Sequence, residues 1–165
     1  MKMKKINNRL NEIAQLIQGE IIADIGSDHA YLPIWLYLNK KIKKAYASDI
    51  SKNCVERIKI NLKKYNISED IITPVFSDGL NFINEKTSSE ISDVIIAGMG
   101  GETIANIIKP LENINFILQP NSKIEFLQKF LYENQFEIIK KTTVEDKKRL
   151  YTIIKTKIKS EQKIK

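Results

Sequence analysis

Residues 23–33 constrain the fold of this chain more than any other stretch. An apolar run, residues 21–23, leads into Asp24, and Gly26 with a short polar turn separates it from a helix-like stretch at residues 31–38. A first β-strand passes into a first α-helix in this way in open α/β sheets, where ligands bind at the carboxyl ends of the strands. The pattern predicts an α/β fold with a ligand site at this turn.

The polar residues of this turn narrow the choice of ligand. Turns that bind a dinucleotide usually carry several glycines, which let the backbone approach a pyrophosphate. Here Gly26 is the only glycine, and Ser27, Asp28 and His29 follow it. We therefore expect side chains to contact the ligand. This argues against a nucleotide pyrophosphate, and it makes an NAD-dependent oxidoreductase the least favoured class.

The remainder of the chain alternates predicted strands and helices, with residues 84–90 predicted as a loop. The predicted strands are 21–25, 44–48, 71–76, 94–97 and 115–118, and the predicted helices are 4–18, 30–39, 51–65, 102–108 and 122–132. Two β-rich runs, 136–144 and 150–158, flank a polar turn and predict an antiparallel hairpin at the sheet edge. We predict one domain over residues 1–158, followed by a basic tail at 159–165.

Composition limits the class of protein and its location. The 165 residues are 42% hydrophobic and 28% charged, which is typical of a globular domain. No apolar run approaches the ~20 residues that span a bilayer, and the N-terminus lacks the apolar core of a signal peptide. We therefore expect a cytoplasmic protein without a membrane partner. Cys54 is the single cysteine, which excludes an internal disulfide, and we expect it to be a small buried helix residue.

The net charge of +7 bears on partners without deciding them. Lysines cluster near the N-terminus, at residues 40–44, at 140–141 and from 155 to the end. Such clusters neutralise phosphates and attract nucleic acids. The alternative is a composition rich in Lys, Ile and Asn throughout, which carries no functional meaning.

Three acids lie at the carboxyl ends of successive predicted strands: Asp24, Asp49 and Asp78. An acid after the second strand is placed to accept hydrogen bonds from a ribose diol. A third-strand acid beside Gly79 is placed to reach the exocyclic amine of an adenine. Each acid alone is also compatible with a turn or a helix cap. Together they describe a site for adenosine without phosphate, and S-adenosylmethionine is the commonest cofactor of that kind.

Three motifs now carry a family resemblance: residues 23–33 (ADIGSDHAYLP), 96–101 (IAGMGG) and 117–121 (ILQPN). The chain resembles the bacterial tRNA (adenine-22-N1)-methyltransferase family over roughly residues 8–155. The resemblance implies a Rossmann-like class I methyltransferase that uses S-adenosylmethionine and acts on tRNA. It also implies a seven-stranded, mostly parallel sheet with helices on both faces, in which the 136–158 hairpin supplies the antiparallel terminal strands.

The resemblance and the strand-end positions together define the expected cofactor site. Its predicted residues are Asp24, Gly26, Ser27, Asp49, Ile50, Asp78, Gly79 and Ala97. The residues expected around the substrate base are Tyr31, Met99, Gly100, Gly101, Gln119 and Asn121. No metal site is predicted.

The chemistry requires little activation, because adenine N1 carries an in-plane lone pair that attacks the sulfonium methyl directly. Positive charge grows on the ring, and a carboxylate near N1 and the N6 amine would stabilise it. Asp28 is the predicted catalytic carboxylate, and the alternative is that it caps the following helix. His29 either contacts the base and handles a proton or holds the turn. Since N1 lies on the Watson–Crick edge, the target base must be unpaired or flipped out.

The sequence departs from the family pattern after its last predicted strand. Family members usually continue into a C-terminal helical extension implicated in holding tRNA, whereas this sequence ends in a lysine-rich tail. We expect the tail and the basic N-terminal helix to contact phosphates, or a protein partner to supply the surface. Two other interpretations stay open: a domain that binds S-adenosylmethionine or RNA without efficient catalysis, and a methyltransferase for a substrate other than tRNA.

Overall fold

A computed structural model describes Met3 and residues 5–161 of the chain. Its strands are β1 (Ile21–Ile25), β2 (Lys44–Asp49), β3 (Ile72–Phe76), β4 (Asp93–Gly100), β5 (Asn115–Ser122), β6 (Phe136–Asp146) and β7 (Arg149–Ile158). Its helices are α1 (Asn8–Leu16), α2 (Tyr31–Leu38), α3 (Lys52–Lys64), α4 (Glu85–Glu90), α5 (Gly101–Ile107) and α6 (Ile124–Glu133). Beyond residue 161 the predicted basic tail lies outside the described residues, as do Lys2 and Lys4.

The seven strands form one sheet in the order β3-β2-β1-β4-β5-β7-β6. Strands β1 to β5 run parallel, and β7 is antiparallel to both β5 and β6. The strand order reverses between β1 and β4, and that reversal leaves a crevice at their carboxyl ends. The predicted fold class, including the terminal hairpin, is confirmed.

Helices cover both faces of the sheet. Buried residues of α1, α2 and α3, such as Ile13, Ile34 and Ile58, pack on one face, while Ile104 of α5 and Leu127 of α6 pack on the other. A parallel sheet buried on both faces requires apolar residues on both sides of each strand. This explains why the central strands read as short continuous apolar runs. Among the described residues, no helix combines the length and apolar character needed to cross a membrane.

Two helices differ from the sequence prediction because side-chain caps decide where they begin. Helix α1 begins at Asn8, four residues later than predicted, because the Asn7 side chain accepts a hydrogen bond from the Leu10 N–H. The prediction of a loop over 84–90 was wrong. Asn84 and Thr87 bond reciprocally in a capping box, which starts the short helix α4 despite its polar composition.

The β4 and β5 ends also differ from prediction. We predicted that β4 would stop at residue 97, but it continues through Gly100 with irregular register, pairing Met99 with Pro120 and Gly100 with Ser122. Ser122, predicted as the first residue of the helix 122–132, therefore ends β5 instead. Helix α6 begins at Ile124, after Lys123, which adopts a left-handed conformation. The glycine-rich segment is thus part of the sheet edge that borders the crevice.

Candidate functional site

The turn between β1 and α2 is tightly wound. Gly26 has a φ of +70°, and a Cβ placed there would lie 2.4 Å from the terminal methyl of Met99. Asp28 and Ala30 also adopt left-handed conformations, with φ of 56° and 57°. Aspartate tolerates this conformation better than most residues do, whereas alanine is strained by it. Backbone strain of this kind concentrates at functional sites.

One face of α3 supports this turn through three side chains, Cys54, Arg57 and Asn61, at helical spacing. Asn61 Nδ2 donates to the His29 carbonyl at 2.8 Å. Arg57 donates to an Asp28 carboxylate oxygen at 2.8 Å, and the Cys54 thiol donates to the same oxygen at 3.4 Å. Cys54 is therefore only half-buried and bonded to the turn, which corrects the expectation of a buried packing residue.

Asp28 is exposed beside the crevice, with 53% of its side chain accessible. It does not cap α2, whose N-cap is Ala30 without a side-chain hydrogen bond. Partial burial alone would raise the pKa of Asp28. The hydrogen bonds from Cys54 and Arg57, together with the charges of His29 and Arg57, outweigh it and hold that pKa below its usual value. Asp28 therefore remains ionised at neutral pH.

Asp24 lies deeper, at the end of β1, and is only 8% exposed. Burial raises the pKa of Asp24 to about 7, although the Ser27 hydrogen bond and the charge of Arg9 pull it down. Ser27 Oγ donates to its carboxylate at 2.7 Å. The sequence-predicted pair Asp24 and Ser27 thus forms a buried acceptor whose charge state changes near neutrality.

Asp49 joins the first turn to the start of α3. The Asp28 N–H donates to one of its carboxylate oxygens at 3.1 Å, and the Ser51 N–H donates to the other at 3.0 Å. The Ser27 N–H donates to the Ser48 carbonyl at 2.9 Å. Asp49 is 8% exposed, so its position is fixed by backbone contacts on both sides.

The three strand-end acids, Asp24, Asp49 and Asp78, are offset from one another along the strand direction. Asp24 pairs in register with Ala47, two residues before Asp49. Asp49 in turn pairs with Phe76, two residues before Asp78. Successive acids therefore lie progressively further beyond the sheet edge. Such a row suits an extended ligand lying across the strands.

Two cavities open at this edge. The first-turn cavity, of about 260 Å³, is lined by Arg9, Asp24, Ser27, Asp28, His29 and Tyr31 among others. The β2–α5 cavity, of about 540 Å³, is lined by Asp49, Ile50, Asp78, Gly79, Met99 and Asn106 among others. Gly26, Ala97 and Gly98 line both cavities. The two cavities therefore meet at the start of the first turn and the end of β4.

An aromatic pair borders the first-turn cavity. The His29 and Tyr31 rings are stacked, with centroids 5.0 Å apart and an interplanar angle of 11°. Tyr31 is 46% exposed. The stack gives the cavity a flat rim beside the Asp28 carboxylate.

Sequence reasoning missed Arg9, which reaches the site from α1. Its guanidinium donates to Gln119 Oε1 at 2.7 Å, and the Gly98 N–H donates to the same oxygen at 3.1 Å. Gln119 is fully buried and donates from Nε2 to Asn121 Oδ1 at 2.9 Å. The one sequence signal that could have indicated Arg9 is its rarity, because only three of the 27 basic residues are arginines.

Several residues predicted around the substrate lie apart from the two cavities. Gln119 and Asn121 form the network behind Gly98, and neither cavity is lined by Gly100 or Gly101. A Cβ at Gly101 would lie 2.3 Å from the Lys123 carbonyl oxygen, so this glycine allows α5 to begin against the chain leading into α6. Their contact with substrate stays a prediction. Within the described ranges, no cluster of His, Cys, Asp or Glu has the arrangement of a metal site.

Comparison with known proteins places this geometry in a family. Residues 6–154 match the family described as "Methyltransferase domain". The chain is 32% identical over 160 residues to the tRNA (adenine(22)-N(1))-methyltransferase of Bacillus subtilis, covering 93% of this chain and 66% of that protein. It thus spans slightly less than two thirds of the length of this curated relative.

Solved structures give the same assignment. The B. subtilis M1A22 tRNA methyltransferase TrmK superposes with a TM-score of 0.86 at 31% identity, over 94% of this chain and 67% of that chain. The M. capricolum TrmK structure, which contains S-adenosyl-homocysteine, superposes with a TM-score of 0.83 at 31% identity, over 96% and 73% of the two chains. The chain belongs to the methyltransferase-domain family and, within it, to the bacterial tRNA (adenine-22-N1)-methyltransferase family.

Proposed function

We propose that this chain transfers the methyl group of S-adenosylmethionine to N1 of an adenine in tRNA, at position 22. The observation that carries the proposal is the meeting of two differently built cavities at Gly26, Ala97 and Gly98. One offers acceptors and an apolar wall for a nucleoside, and the other offers groups for an amino acid. The meeting point is where the sulfur that joins these halves would lie.

The β2–α5 cavity fits adenosine. The Asp49 oxygens each accept one backbone N–H and keep a lone pair for the ribose hydroxyls. Ile50 is 66% exposed at the cavity wall, and an aliphatic side chain there would pack against a flat purine. Asp78 and Gly79, which follow β3, line the same cavity, and Asp78 is the proposed acceptor for the adenine amine.

The first-turn cavity fits the methionine part. Arg9 contacts the neutral Gln119 amide, and in the part of the chain that the structure describes it makes no salt bridge. Its charge is thus available for the cofactor carboxylate. Asp24 lies in the same cavity as a buried acceptor for the ammonium group. Arg9 was not among the sequence-predicted residues, and we add it to the proposed cofactor site.

When bound, S-adenosylmethionine supplies an electrophilic methyl group on a sulfonium centre. Asp28, ionised and exposed at the cavity rim, accepts a hydrogen bond from the adenine N6 amine and so orients N1. As the N1–methyl bond forms and the methyl–sulfur bond breaks, positive charge passes to the ring. The Asp28 carboxylate stabilises that charge, and no base has to remove a proton from N1.

The His29–Tyr31 stack supplies a surface for the flipped base. Tyr31 is 46% exposed and lines the same cavity as Asp28, so an adenine could continue the stack on its ring. His29 then positions the tyrosine ring and lies 3.6 Å from the Asp28 carboxylate. Met99, at the boundary of the β2–α5 cavity and against Gly26, limits the base on the opposite side.

The proposal is tested by incubating the protein with labelled S-adenosylmethionine and an unmodified tRNA transcript, then digesting the RNA and identifying methylated nucleosides by mass spectrometry. We expect 1-methyladenosine, and we expect it to disappear when adenine-22 is replaced by guanine. Product that persists after this replacement would contradict the assigned position. Cofactor binding without any RNA methylation would contradict the assigned activity.

A further inference from the structure

We infer that the tip of the β6–β7 hairpin, residues 145–151, is an RNA-binding element that contacts tRNA phosphates near the target adenine. This inference rests on the proposed function. The sheet topology carries its first step. Strand β7 pairs with β5 only through residues 154–156. Residues 149–153 extend past Leu118, the last β5 residue of that pairing, toward the edge where both cavities open.

Helix α1 links this hairpin tip to the site. Asn8 Nδ2 donates to the Glu145 carbonyl at 3.1 Å, and Thr142 donates to a Glu12 carboxylate oxygen at 3.4 Å. Arg9, between them in sequence, lines the first-turn cavity and also lies over the Tyr151 ring at 5.7 Å. A single residue, Arg9, therefore contacts the tip at Tyr151 and also lines the cavity that Asp28 lines.

The tip carries three consecutive basic residues that follow the acids Glu145 and Asp146, so three positive and two negative charges leave residues 145–151 with a net charge of +1. Lys147, Lys148 and Arg149 are consecutive and exposed. None of them forms a salt bridge to any residue that the structure describes. The Arg149 guanidinium lies over the Tyr151 ring at 5.3 Å, on a ring that Arg9 also contacts. Basic side chains interleaved with an aromatic ring are typical of single-stranded nucleic-acid contacts.

The turn itself is built at a conformational cost. Lys147 and Lys148 both adopt left-handed conformations, with φ of 49° and 63°. Two-residue hairpin turns of this kind favour Asn-Gly, because a side chain such as lysine is disfavoured at positive φ. The chain thus places two charged side chains where uncharged residues would form the turn more easily. Charge complementarity to RNA phosphates gives these lysines a role that folding does not.

The double substitution Lys147→Asn/Lys148→Gly tests the inference, because it removes both charges and supplies the preferred turn residues. We expect the variant to melt no lower than wild type and to bind S-adenosylmethionine with unchanged affinity. We expect its tRNA affinity to fall about ten-fold near 0.1 M salt. The slope of log affinity against log salt concentration should become shallower by roughly two, about one for each phosphate that a lysine no longer neutralises.

The matched control is Lys63→Gln/Lys64→Gln, which removes the same charge from the last turn of α3 at the opposite edge of the sheet. It should keep the wild-type tRNA affinity within about two-fold, apart from a small general charge effect. Wild-type tRNA affinity and salt slope in the hairpin variant, or an equally large decrease in the control, would overturn the inference. A wild-type protein that methylates no tRNA would instead overturn the proposed function, and the inference with it.

Discussion

The β2–α5 cavity and the Asp28 side of the first turn differ in how their acids are held. Asp49 is buried, and backbone N–H groups from two elements fix both of its oxygens. Asp28 is half exposed, and only side chains contact its carboxylate: Cys54 and Arg57 of α3, and His29 at 3.6 Å. Backbone contacts define a position before the ligand arrives, whereas side-chain contacts can exchange. The difference supports our proposal of a preformed cofactor site at Asp49 beside an adjustable carboxylate, Asp28, that acts on the base.

The largest expected effect on the methylation rate comes from removing the charge of Asp28. Asp28→Asn keeps a residue type that tolerates a positive φ, so the turn should keep its shape. We expect the methylation rate at saturating substrates to fall about 100-fold, as when one group that stabilises a transition state electrostatically is removed. Rapid-quench assays measure the rate, and Glu56→Gln on the exposed face of α3 is the charge-matched control. A rate within three-fold of wild type would remove Asp28 from the mechanism.

The corresponding substitution in the β2–α5 cavity is Asp49→Asn. It replaces one charged acceptor with an amide, so one backbone N–H and one ribose hydroxyl lose a strong partner. We expect the Kd for S-adenosylmethionine to rise about 30-fold, since hydrogen bonds to charged groups contribute ~1.5–3 kcal/mol. Calorimetric titration measures it, with the exposed Asp70→Asn as control. Unchanged affinity would show that Asp49 serves only to join the two turns.

Protonation of Asp24 changes the other half of the proposed cofactor site, the first-turn cavity, without mutation. Its raised pKa of about 7 means that the carboxyl becomes neutral as pH falls through neutrality. A neutral carboxyl binds the cofactor ammonium less well, so affinity should weaken as pH falls. We expect about a ten-fold increase in Kd from pH 8 to pH 6, as for a single group that must be ionised. The Asp24→Asn variant should bind weakly at both values, and an equal pH dependence in that variant would assign the effect to another group.

The smallest expected effect concerns Arg57, which we regard as a positioning residue. Its contact with Asp28 is exposed, and exposed ion pairs contribute little because water and salt screen them. Arg57→Gln should therefore lower the methylation rate about three-fold with no change in cofactor Kd. The same substitution in the Asp28→Asn background should have no further effect. An undiminished decrease in that background would mean that Arg57 contacts the tRNA directly.

The sequence predicted the fold well because the signals were local and repeated. Apolar runs ending at or near an acid or a glycine located four strands, and a fifth run ended at Gln119-Pro120-Asn121. The predicted helix 51–65 corresponds to α3, which Ser51 caps. The failures lie where non-local or side-chain contacts decide. Helix α4 depends on a capping box in a polar segment. The extension of β4 depends on pairing of residues 99–100 with the end of β5.

The positions of the acids in the candidate site could be predicted from the sequence. The residues that contact these acids or hold the first turn in place could not. Strand-end acids are recognisable because the carboxyl edge of a parallel sheet gathers them at one place. Arg9 reaches the same cavity from a helix whose packing the sequence pattern did not specify. The contacts of Cys54, Arg57 and Asn61 likewise depend on how α3 is rotated against the first turn. Such placements follow from tertiary packing, which no local pattern encodes.

The proposed division of labour, in which Asp49 binds the cofactor and Asp28 acts on the base, is tested most directly by single-turnover methylation at rising S-adenosylmethionine concentration. Wild type, Asp49→Asn and Asp28→Asn are compared on the same tRNA transcript. We predict that Asp49→Asn approaches the wild-type rate at saturation, whereas Asp28→Asn saturates at the wild-type concentration and stays about 100-fold slower. Recovery of Asp28→Asn by added cofactor, or an equal residual defect in both variants, would contradict this division.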